Sequence, residues 1–407
     1  MAQFPADARV AVTPFARRRE GEYTTLGDPR RGVFVTVPTE GLELLDALAS
    51  GKTVAEAVRE YEQAHGETPD AEDFLSALEA SGFVARCDGA VPDGQAAQPD
   101  AAAAAAISPQ LARRLFGAPV VGACAAVAIL GLALVAIEPG LMPAPTVLVF
   151  HEHLAALATG LVALNLLGVV VHELAHLLAA RAGEVDARIG IGHRLWILVA
   201  ETDMSGIWMA PKRHRYFAFL AGPLVDAALA GLFLVVLWAQ RRGWIALSAP
   251  LAQFAAAALW VFVIRLLWQC FVFVRTDFYY VLATALDCKN LLADTEDLLR
   301  NKLARLRGPT AVVDQSAIPQ RERRAIRAYA VVWLAGRAVA LASLGLITLP
   351  VIKGYLSEVT RALSGRHSSL TVIDVVALAC LGLSFQAAGF FLWTRTLYRG
   401  RTQRTME

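Results

Sequence analysis

Cysteine is scarce and scattered. The five cysteines among 407 residues are Cys87, Cys124, Cys270, Cys288 and Cys380, and no two form a C-x-x-C pair. That spacing speaks against cysteine zinc ligands and a disulfide framework. Cys124, Cys270 and Cys380 lie in apolar runs, where thiols are expected as small core side chains. Charge is sparse too: only 18% of residues are charged and the net charge is +2. No basic block is dense enough to indicate nucleic acid. Met1 to Glu20 lacks an apolar h-region, so no cleavable signal peptide is expected. What the chain has in excess is apolar surface. At 56% hydrophobic with mean hydropathy +0.48 it is too apolar for a soluble enzyme, yet too charged for a bare helix bundle.

The apolar density is uneven. Residues 1–115 read as soluble. Beyond them come six runs, 117–137, 154–181, 216–239, 247–274, 328–350 and 370–394, each long enough to span a membrane core. Such a core is about 30 Å thick and takes about 20 helical residues. Arginine and lysine concentrate in the connections 182–215 and 275–327 and in the tail, whereas 138–153 has neither. By the positive-inside rule both termini are expected on the cytoplasmic side of the cell membrane.

The expected architecture is therefore mainly α: a polytopic helical membrane bundle of about six spans behind a small N-terminal α+β winged-helix-like domain. The expected divisions are 1–86 (front domain), 87–115 (Ala/Pro-rich linker), 116–290 (membrane core), 291–327 (cytoplasmic connection) and 328–407 (two further spans and the tail).

The front domain reads as a hairpin, Tyr23–Leu26 and Val33–Val37 around a glycine- and proline-containing turn, followed by three helices. The helices are expected over Thr39–Ala49, from Thr53, and over Asp70–Ser81. Thr53-x-x-Glu56 fits a capping box, and Gly82 suits the position after the third helix. A winged-helix order raises the question of DNA. The third helix carries Asp70, Glu72, Asp73 and Glu79 and no arginine or lysine to meet phosphates, which argues against it. Peptide binding fits better, with an inert cytoplasmic domain as the alternative.

The most informative segment is His172-Glu173-Leu174-Ala175-His176. Between Leu154 and Ala180, these two histidines and Glu173 are the only ionisable side chains. A charged group at the centre of a membrane helix costs on the order of 2.5–3.5 kcal/mol on insertion scales, so intramembrane ionisable residues mark function. Residues i and i+4 share a helix face, so both imidazoles can reach one metal, while Glu173 points beside that face and can serve as a base. The alternative is a buried polar cluster bonding another helix, but such glue is usually Ser, Thr, Asn or Gln.

A catalytic zinc takes three protein ligands and an open position. Asp277 is the leading candidate for the third. The region 247–286 is too long for one straight span, and a break near Val274–Thr276 puts Asp277 at the start of a helix. Asp226 is the other intramembrane acid. It reads as a ligand, a substrate-positioning group, or the partner of a buried arginine, since Arg265 and Arg337 also lie inside spans.

Two resemblances follow from these motifs. "HELAH" in one span, "AGPLVDAAL" in the next and an acid after a further one resemble the site-2 protease family of membrane zinc metallopeptidases, over about residues 150–290. The resemblance implies one zinc ion, peptide-bond hydrolysis and a β-hairpin that holds substrate as an added strand. That places Ile189, Ile191, Leu195 and Ile197 as substrate-positioning candidates. The chain departs from the family in having Asp226 where Asn is frequent, and Arg275-Thr276-Asp277-Phe278 where Leu-Asp-Gly is typical. Residues 21–85, with "LELLDALASGKTVAEAVREY" and "DFLSALEASGFV", resemble the PqqD-like elements that hold leader peptides. That resemblance implies leader binding along Val33, Phe34 and Val35.

Together these expectations describe a zinc endopeptidase that cleaves a leader-bearing, ribosomally made precursor peptide. Its partners would be that peptide and the lipid bilayer, with no nucleic acid. The alternatives are an intramembrane protease of a membrane regulator and a non-catalytic peptide receptor or export partner.

Overall fold

A computed structural model describes residues 4–28, 31, 33–86, 107–150, 154–194, 197–286, 288, 291–307, 315, 318, 320–343, 345–346, 349–364 and 391. The chain divides into two compact units. The first is Met1–Ser108 with the short segments Gly183–Ala187 and Met204–Pro211; the second is the remainder.

The first unit is small and strand-rich. Its elements are β1 (Val10–Val12), β2 (Ala16–Glu20), β3 (Tyr23–Asp28), β4 (Val33–Pro38), α1 (Gly41–Ala49), α2 (Val54–His65), α3 (Ala71–Ala80) and β5 (Val84–Arg86). β3 and β4 form the expected antiparallel hairpin, with Leu26 opposite Val35. β2 extends it to a three-stranded sheet, and β1 pairs with β5 separately. The helices start and stop where their caps dictate. Thr53 accepts from the Glu56 amide and Glu56 accepts from the Thr53 amide, closing the capping box on α2. Asp70 caps α3 by accepting from the Asp73 amide, and Gly82, at φ +70°, follows that helix in the left-handed region. Leu26, Leu45, Leu48, Leu75, Leu78 and Phe83 are buried in a single core.

The amide of Thr53 on the Glu56 carboxylate holds that group below the ordinary glutamate range. A depressed folded value means the capping box is complete above the ordinary pKa and is lost as pH falls through the lowered one. Thr53→Ala should cost about 1 kcal/mol, the usual loss for an N-cap. Faster amide exchange in the first turn of α2 is the measurement that checks it.

The second unit is helical around one hairpin: α4 (Pro109–Leu115), α5 (Ala118–Ile137), α6 (Leu154–Ala182), β6 (Arg188–Arg194), β7 (Ile197–Asp203), α7 (Lys212–Arg241), α8 (Ala249–Gln269), α9 (Asp277–Leu286), α10 (Leu291–Arg307), α11 (Gln320–Ser343) and α12 (Leu349–Leu363). Among the described residues, five helices are long and apolar enough to cross a membrane: Pro109–Ile137, Ala156–Ala182, Lys212–Arg241, Ala249–Gln269 and Glu322–Ala342. They mark the chain as a membrane protein.

Four of the expected runs coincide with α5, α6, α7 and α8. The fifth is displaced. The described helix covers Gln320–Ser343, and its arginine-rich first turns are good helix formers. The sixth run, 370–394, lies outside the described residues apart from Phe391. The linker expected over 87–115 is also shorter than expected, since Pro109–Leu115 is helical; 87–106 lies outside the described residues.

Small residues let the helices approach closely. Gly131 on α5 faces Gly231 on α7 so tightly that neither position has room for a Cβ. Cys270, expected in the core, is exposed, whereas Cys288 is buried; neither they nor Cys124 form a disulfide among the described residues.

Candidate metal centre

α6 carries His172 and His176 one turn apart, both buried. Their rings face α7 at Ala218 and Gly222. A Cβ at Gly222 would overlap the Nε2 atoms of both imidazoles. Alanine normally favours a helix interior over glycine by about 0.5–1 kcal/mol. Gly222→Ala should nevertheless displace the rings, and the metal-binding capacity of the purified protein should fall although helix propensity rises.

The third group comes from beyond a break. α8 stops at Gln269, a single 3₁₀ turn covers Val272–Val274, and Arg275 adopts the left-handed conformation at φ +51°. α9 then begins at Asp277, as the length of the 247–286 region led us to expect. Two bonds stitch the break. Thr276 Oγ1 donates to the Gln269 carbonyl at 2.8 Å, and the Asp277 amide donates to Gln269 Oε1 at 3.0 Å. These bonds fix where the Asp277 carboxylate points, and its Oδ2 lies 3.2 Å from His172 Nε2 and 3.3 Å from His176 Nε2.

The outer nitrogens settle what converges there. His176 Nδ1 lies 2.7 Å from the Ala218 carbonyl, which can only accept. His172 Nδ1 lies 2.8 Å from Asp226 Oδ2. Asp226 also accepts from Arg265 Nε at 3.0 Å through its other oxygen, so it too is an acceptor. Each Nδ1 therefore donates outward, and a neutral imidazole held this way turns its Nε2 lone pair inward. The two Nε2 atoms are 3.1 Å apart. Two imidazole Nε2 atoms and a carboxylate oxygen meet at one point, a donor set suited to a cation. His172, His176 and Asp277 form a group able to hold a metal ion. Tetrahedral bonds of about 2.0–2.1 Å imply donor separations of about 3.3 Å, close to those observed.

Comparison with protein-family models, with curated proteins and with solved structures finds no match.

Asp226 is fully buried. Bonded on one oxygen to His172 and on the other to Arg265, it has no surface to offer a substrate. The substrate-positioning assignment for Asp226 gives way to an outer partner that orients His172. Arg265 also donates to the Gly168 carbonyl at 3.3 Å, so the buried charge is both paired and hydrogen-bonded. Arg337, expected to need a partner, stacks on Trp333 at 3.8 Å and lies over Phe273 at 5.7 Å.

Glu173 faces β7, where Thr202 Oγ1 lies 2.7 Å from its Oε2. β6 and β7 form the hairpin expected between the two motif-bearing helices, with Ile189 opposite Thr202 and Ile191 opposite Ala200. Ile189 and Ile191 are exposed. Ile197 lies on β7 opposite Arg194, and Leu195 lies outside the described residues. In the first unit, Val33, Phe34 and Val35 are half-buried on β4, whose strand partner among the described residues is β3 alone. Sequence reasoning missed Thr202, Gly222 and Gln269. Only Gly222 stood inside a quoted motif.

Proposed function

We propose that the protein is a membrane-embedded zinc endopeptidase that cleaves a leader-bearing, ribosomally made precursor peptide. The observation that carries this is the convergence of His172 Nε2, His176 Nε2 and Asp277 Oδ2 within 3.3 Å of one another, with both Nδ1 atoms held elsewhere. Two histidines and one carboxylate are a catalytic zinc ligand set, three protein groups with a position left over for water.

Zinc held there would lower the pKa of bound water toward about 7 and polarise the scissile carbonyl. The protein's own groups do the rest. Glu173 accepts the proton of the attacking water and returns it to the amine as the carbon–nitrogen bond breaks. Asp226 and the Ala218 carbonyl keep the two imidazoles in the ligating tautomer. A helical substrate hides its carbonyls in its own hydrogen bonds, so it must be extended first. The β6–β7 hairpin, apolar at Ile189 and Ile191, is suited to hold it as an added strand.

The wider picture belongs to the same proposal. Six spans with both termini cytoplasmic put the motif toward the cytoplasmic end of the second span. The first unit, resembling leader-binding elements, would take the leader along the outer edge of β4 at Val33–Val35.

The test is cleavage of a leader-bearing precursor by the full-length protein in detergent or nanodiscs. Chelation should abolish cleavage and zinc should restore it. Phe34→Asp should weaken precursor binding without changing zinc content. Cleavage that persists with no leader binding would move the substrate to the class of membrane regulators. Absence of any zinc-dependent cleavage would overturn the enzymatic reading.

A further inference from the structure

We infer that Thr202 is a positioning residue for Glu173, fastening the general base to the hairpin. This deepens the endopeptidase reading above and rests on it. Thr202 Oγ1 lies 2.7 Å from Glu173 Oε2 and 3.0 Å from the Glu173 backbone carbonyl. A hydroxyl has one proton to give. The shorter contact has the length of a charge-assisted bond to a carboxylate, about 2.5–2.7 Å. Among the described residues Thr202 is the hydrogen-bond partner of that carboxylate.

The consequence is geometric. A glutamate has three rotatable side-chain bonds, and this one follows a metal-ligand histidine directly. Released, its carboxylate could swing onto the fourth position and close it. Held by Thr202, it stays beside the metal group, where a base is needed.

The register adds a second consequence. In an antiparallel pair, directly opposite residues share one face of the sheet. Thr202 is opposite Ile189, and Ile191 is two residues further along the same face. The base is therefore anchored to the hairpin face that carries these two exposed isoleucines. A strand that docks on the hairpin and the base that activates the water attacking it are registered by one residue.

The experiment compares Thr202→Val, which keeps shape but removes the donor, with Thr202→Ser, which keeps the donor. Both are made in the full chain. The probe is a leader-bearing precursor peptide with a fluorophore and quencher on either side of a segment rich in valine and isoleucine. Thr202→Val is expected to lower kcat about tenfold to a hundredfold, the worth of one hydrogen bond to a charged group. KM should be unchanged, and Thr202→Ser should recover most of the rate.

A second readout does not depend on turnover. In cobalt-substituted protein the visible ligand-field bands should shift in Thr202→Val, as Glu173 reaches the metal, and should match wild type in Thr202→Ser. Wild-type kcat and unshifted bands in Thr202→Val would overturn the inference, as would a change in KM alone. A wild-type protein that does not cut would instead count against the endopeptidase reading, with the cobalt bands still deciding whether Thr202 holds the carboxylate.

Discussion

Glu173→Gln should abolish peptide-bond cleavage and leave the metal in place. Glutamine is nearly isosteric, and its carbonyl oxygen still accepts from Thr202 Oγ1, which lies 2.7 Å from Oε2 in the wild type. The hairpin contact therefore survives and only basicity is lost. The imidazoles are held by other groups, His172 by Asp226 and His176 by the Ala218 carbonyl. A general base contributes about 10²–10⁴-fold, so cleavage should fall by that factor with zinc unchanged. Single-turnover cleavage measured beside metal analysis checks both halves. Wild-type turnover in Glu173→Gln would show that another group takes the proton.

The second large effect is on the metal itself. Asp277→Ala should empty the centre, because two imidazoles alone make an incomplete set. Its carboxylate is aimed by the stitched break, through the bonds of Gln269 and Thr276, and no other described acid reaches both Nε2 atoms. Asp226→Ala should do less. It leaves all three ligands but frees His172 and strands Arg265, and outer partners of this kind are typically worth about 10–100-fold in affinity. Competition titration against a chelator of known zinc affinity ranks the two. Asp277→Ala should lose clearly more than Asp226→Ala; the reverse order would make Asp226 the ligand.

Much of this was legible in the chain because the signals are local. His172 and His176 are one turn apart, so any helix through them places both imidazoles on one face. Thr53 and Glu56 close a capping box within a single turn. The break before Asp277 could be inferred because 247–286 exceeds one membrane crossing and Arg275-Thr276-Asp277 interrupts it. The ion pair of Asp226 with Arg265 was among the open alternatives, since intramembrane charges require partners.

What escaped was either unpatterned or long-range. β2 is Ala-Arg-Arg-Arg-Glu, with no apolar alternation to announce a strand. β1 and β5 are three residues each and find one another across the whole first unit. The bond from Thr202 to Glu173 joins a hairpin to a helix 29 residues earlier. Its threonine looks, in sequence, like any other polar strand residue. Gly222 is one of 30 glycines, and its role appears only when two imidazoles are seen to fill the space a Cβ there would need.

The most direct test of the central claim is zinc-edge X-ray absorption on the purified full-length protein, with metal content measured on the same sample. One zinc per chain is expected, bound by two imidazole nitrogens with oxygen from a carboxylate and water, all at about 2.0–2.2 Å. A fourth protein ligand in place of water would describe a closed structural site. A thiolate sulfur at about 2.3 Å, or a protein that binds no zinc, would contradict the account.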